Sequence, residues 1–141
     1  MISKREILNV MQGKLESLNV FQSVRQPENT ASELNLLELL PDLTVFPAAV
    51  LLVRQSCRQD NHLGSMRLDL VVIGQYFGQD SERAACESPQ ETVEEAFRRT
   101  GSIEFANRGQ ALVLLDDIVP LQLGAEYLAW NFSFEVKILN Y

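Results

Sequence analysis

A chain of 141 residues has the length of one domain and can bury a real core. Apolar residues at 46% and charged residues at 22% suit a globular protein and exclude disorder. A formal net charge of −7 argues against a surface built to grip nucleic-acid backbone, which needs clustered cations.

Residues 1–9 carry Lys4, Arg5 and Glu6 where a signal peptide needs an apolar stretch, and no run approaches bilayer-spanning length. The expected compartment is therefore cytoplasmic, with no membrane partner. In that setting Cys57 and Cys86 are expected to be free thiols.

Ser3 and Glu6 stand at capping-box spacing, with Ser3 as N-cap and Glu6 reaching back to its amide. Behind them Ile7, Leu8, Met11, Leu15 and Leu18 recur at helical spacing, so an amphipathic helix is predicted, ending near Asn19. Gly13 within it either weakens the helix or permits close packing. Residues 20–26 are predicted as a short strand stopped by Pro27. Thr30 and Glu33 repeat the capping signature before a leucine-dense turn that Pro41 ends.

Pro47 leads into an unbroken apolar run over residues 48–53, the pattern of an interior strand covered on both faces. Residues 56–65 are polar, include Asn61 and Gly64, and are predicted to form a long hairpin loop. Met66, Leu68, Leu70 and Val72 then alternate against Arg67 and Asp69. That strand should run to about Phe77 and pair antiparallel with the one before it.

Residues 78–87 are expected to be a connector. Ser88, Pro89 and Glu91 form a third capping signature, opening a helix with Val93, Ala96 and Phe97 as its buried stripe and Gly101 as its stop. Residues 103–107 are a short extended piece. A strand over 110–115 is expected to break at Asp116 and Asp117 and resume over 118–123. Leu128, Trp130, Phe132, Phe134, Val136 and Ile138 alternate with small or polar residues, which predicts a long closing strand with one greasy face. The fold class that follows is α+β. One mixed, mainly antiparallel sheet of about four to five strands carries two amphipathic helices on one face, all within a single domain over residues 1–141.

Chemistry is sparse in this sequence. His62 is the only histidine, without metal ligands at a useful spacing, so no metal site is expected. Nothing ties it to Cys57 as a nucleophile and base. Gly74 and Gly78 follow a strand but lack the third glycine of a dinucleotide loop, so no cofactor is expected either. The chain is accordingly expected not to be an enzyme. Arg54, Arg58 and Arg67 bracket the polar loop that holds His62. These four residues are the candidate partner-contact site, a small cationic cluster at one end of the sheet.

In the order of its elements the chain resembles the small tail-completion and tail-terminator proteins of tailed bacteriophages. The residues that carry the resemblance are Leu39, Leu40 and Pro41, then Phe46-Pro47-Ala48-Ala49-Val50-Leu51-Leu52-Val53, then Met66-Arg67-Leu68-Asp69-Leu70-Val71-Val72. What it implies is a phage or prophage structural protein, made in the host cytoplasm and then part of the virion tail. Copies would form a ring, six-fold by analogy, that caps the tail tube or joins it to the head connector. Its partners would be itself, tube and connector proteins, with no specific nucleic-acid binding. The rival expectation is a non-catalytic adaptor that binds another protein through an open sheet edge.

Overall fold

In the computed structural model, residues 2–26, 43–59, 62–98, 101–106 and 108–140 are described. Their elements are α1 (Lys4–Ser17), β1 (Ser23–Arg25), β2 (Ala48–Gln59), β3 (His62–Gln75), α2 (Asp80–Phe97), β4 (Gly101–Phe105), β5 (Gly109–Leu121) and β6 (Tyr127–Asn140). The capped leucine-dense segment expected over residues 30–40 lies outside the described residues.

The strands form one sheet in the order β1-β2-β3-β6-β5-β4. Only β1 and β2 pair parallel, and every other neighbour is antiparallel. The sheet is therefore mixed and mainly antiparallel, as the alternation predicts. It has six strands where four to five were expected, because the short pieces β1 and β4 both pair onto it as edges.

Both helices lie on one face. Ile7, Leu8, Met11 and Leu15 of α1 and Val93 and Phe97 of α2 share a core with Leu68, Leu70, Phe132, Phe134, Val136 and Ile138 of the sheet. The Phe97 and Phe134 rings meet edge to face at 5.1 Å, a favoured aromatic geometry. Trp130 is only partly buried against this core. Ala96, expected in the buried stripe, is exposed. Cys86, Pro89, Val93 and Phe97 are the residues α2 buries, a stripe that repeats every three or four positions.

Ser3 caps α1 as its spacing predicts, its Oγ accepting from the Glu6 amide at 3.2 Å. The helix ends at Ser17, and Asn19 turns the chain with a φ of 58°, a value that asparagine tolerates better than most residues. Gly13 sits on the exposed side, and a Cβ there would meet nothing within 4 Å. Close packing is thus not its role. Gly13→Ala is expected to stabilise the protein by about 0.5–1 kcal/mol through helix propensity, read from urea unfolding.

Neighbouring residues of α1 reach opposite edges of the sheet. Arg5 donates to the Gln26 side chain beyond β1 at 3.2 Å, while Glu6 pairs with Arg108, in the turn before β5, at 2.8 Å. Six flat strands would hold those edges about 24 Å apart at the usual spacing. The sheet therefore curls around the helix. Glu6 ties this closure together, and its carboxyl is held below the ordinary carboxylate range, chiefly by the hydrogen bond from Arg108. A lowered native value means that this contribution is complete at neutral pH and is lost as acid titrates the carboxylate. Comparing thermal unfolding of the wild type and Glu6→Gln, the gap should be widest near neutrality and close as pH falls.

Two boundaries differ from expectation. The second helix starts at Asp80, eight residues before the expected cap, so residues 80–87 are helical and Pro89 lies inside the helix. The operative cap is Glu82, whose carboxylate accepts from the Gln79 and Phe77 amides at 3.2 Å. This first stretch crosses β3 closely: a Cβ on Gly74 would come within 2.8 Å of the Cys86 Cβ. Only glycine lets the backbones approach that far. The polar residues 56–65, expected as a long loop, are strand almost throughout, with β2 running to Gln59 and β3 resuming at His62. Cys57 and Cys86 are free thiols, one exposed and one buried.

The sheet's other face is apolar at one end. Ala48, Val50, Val71, Ile73 and Ala129 are buried there with Leu43, and Phe46, Leu52, Leu121, Leu123 and Tyr127 pack around them. Apolar burial on both faces of β2 is what its continuous hydrophobic run requires.

Candidate interaction surface

The helix-free face of the sheet changes character along its strands. Past the apolar end, side chains on β2, β3, β6 and β5 become charged and polar. Leu52, Asp69, Ser133 and Asp117 form one row across the four strands, and Gln55, Arg67, Glu135 and Leu114 form another. Between them lies the core-facing row Val53, Leu68, Phe134 and Leu115.

Both outer strands of this group bulge at that same level. On β2 the register shifts between Val53 and Gln55, leaving Arg54 as the extra residue. On β5 it shifts between Leu115 and Asp117, leaving Asp116. A bulge re-aims the side chain it carries. The break expected at Asp116 and Asp117 is thus a bulge in a strand that continues to Leu121. Pairing with β6 on either side of it supplies the backbone bonds that would otherwise be lost.

The two bulged residues are tied to β3. Arg54 donates from Nε to the Asp69 carboxylate, and Asp116 pairs with Arg67 at 3.6 Å. Asp69 is the one charged residue among the buried positions described, only 4% exposed. Ser133 Oγ donates to its other oxygen at 3.5 Å, and Asn131 in turn reaches Ser133 at 3.4 Å. A carboxylate this far from water needs a cation and hydrogen bonds to offset its lost hydration. Arg54 and Ser133 supply them.

The expected cationic cluster of Arg54, Arg58, His62 and Arg67 is therefore corrected in part. Arg54 and Arg67 do lie side by side, since Arg67 pairs in register with Gln55. They are interleaved with Asp69 and Asp116, so no block of free positive charge results. Arg58 stands apart near the hairpin tip, beside a shallow groove shared with Cys57, Ser65, Glu135 and Lys137. His62 opens β3, so it belongs to a strand and not to a loop. Its side chain lies outside the described residues.

Sequence reasoning missed Asp69 and Asp116 as partners. A signal for Asp69 existed: Arg67 and Asp69 alternate onto the same face of an otherwise apolar strand, where a charge needs a reason. No signal showed that Arg54 would be that reason, because the pairing depends on a bulge.

Among the described residues no group of three or more His, Cys, Asp or Glu side chains is placed to hold a metal ion. No described helix is long and apolar enough to cross a membrane. What the polar face offers instead is fixed charge on strands whose outer edges are only partly covered. β1 pairs with Ala48, Ala49 and Val50 of β2, and β4 pairs with residues 109–113 of β5. Among the described residues, no strand pairs on the outer side of residues 51–59 or 114–121. No protein-family model matches the chain, and no characterised protein matches it in sequence.

Proposed function

We propose that the chain is a structural subunit of a phage or prophage tail. Copies would assemble as a ring that caps or completes the tail tube and joins it to the head connector. The observation that carries this reading is the arrangement of the residues behind the tail-terminator likeness. Pro47 leads into β2, a hairpin returns as β3, and α2 packs back onto β3, where Cys86 meets Gly74. The strand edges left unpaired among the described residues support it, because unpaired strand edges invite another chain. On this reading the work is done by surfaces, and the excess negative charge suits a ring through which DNA slides without being held.

Native mass spectrometry and light scattering test it, with the chain alone and with tail-tube protein added. A discrete ring-sized species is expected in at least one of these conditions, and a monomer in both would sink the proposal. The same open edges favour one rival, an adaptor that takes a strand from a different protein. That rival predicts a single stoichiometric complex with the other protein and no ring.

A further inference from the structure

We draw no further inference here: the strongest candidate, the surface patch on the helix-free face of β5 and β6 where Leu112, Leu114 and Leu139 stand beside Glu135 and Lys137, carries nothing because nothing among the described residues shows what covers it.

Discussion

Replacing Phe132 by alanine is expected to destabilise the protein by about 3–5 kcal/mol, with the midpoint of urea unfolding falling and its slope unchanged. Phe132 is fully buried near the middle of β6, a strand paired on both sides. It lies in the row Leu51, Leu70, Phe132 and Ile118, which faces the helices. Full burial of such a side chain contributes roughly 1.5–3 kcal/mol by transfer from water. The rest of the expected loss is the cavity. Its walls are strands held by backbone bonds on both sides, and these cannot collapse inward as a loop would. Asn131→Ala, one residue away on the opposite face, is the control, and a loss within about 1 kcal/mol is expected there. Equal effects at the two positions would mean that the facing of β6 is misassigned.

That strand was the most legible part of the sequence, and the reason is physical. β6 is central, with helices on one face only over most of its length, so its side chains obey a clean period of two. The first helix was legible for a similar reason: one buried stripe and a cap with a single geometry. Two other stretches were not. The first half of α2 meets solvent on most sides, with Asp80, Ser81, Arg83, Ala84 and Ala85 exposed, so no apolar rhythm announces it. Pro89 resembles a helix start because its missing N–H usually places it there, but here it is buried mid-helix. The hairpin of β2 and β3 misleads in the same way. Residues 54–58 are all exposed, so neither face is selected for apolarity, and strand reads as loop.

The candidate surface was legible only in its raw materials. Arg54, Arg58 and Arg67 attract notice as charges around an apolar strand pair, as do Asp116 and Asp117 between apolar runs. Their pairing could not be read, because a bulge shifts register by one residue and its position depends on strands far away in the chain. Asp69 and Ser133 are neighbours across β3 and β6, 64 positions apart in sequence. Local pattern has no access to such a contact.

The Arg54–Asp69 pair supplies the second large expected effect, and it is asymmetric. Arg54→Leu should cost about 2–3 kcal/mol, and Asp69→Asn distinctly less. The asymmetry follows from burial: the Asp69 side chain is 6% exposed and that of Arg54 is 57%. Without its carboxylate, the arginine turns to water at little cost. Without its arginine, the carboxylate keeps one long hydrogen bond from Ser133 and, among the described residues, no other cation within ion-pair distance, since Arg67 is paired with Asp116. The cost falls short of that for a fully buried pair because Arg54 is itself half in water and part of its attraction is screened. A double-mutant cycle isolates the effect. Arg54→Leu combined with Asp69→Asn removes the stranded charge, so the double variant should be more stable than Arg54→Leu alone. If the two losses simply add, Asp69 is not held by Arg54, and the bulge that presents this arginine serves some other purpose.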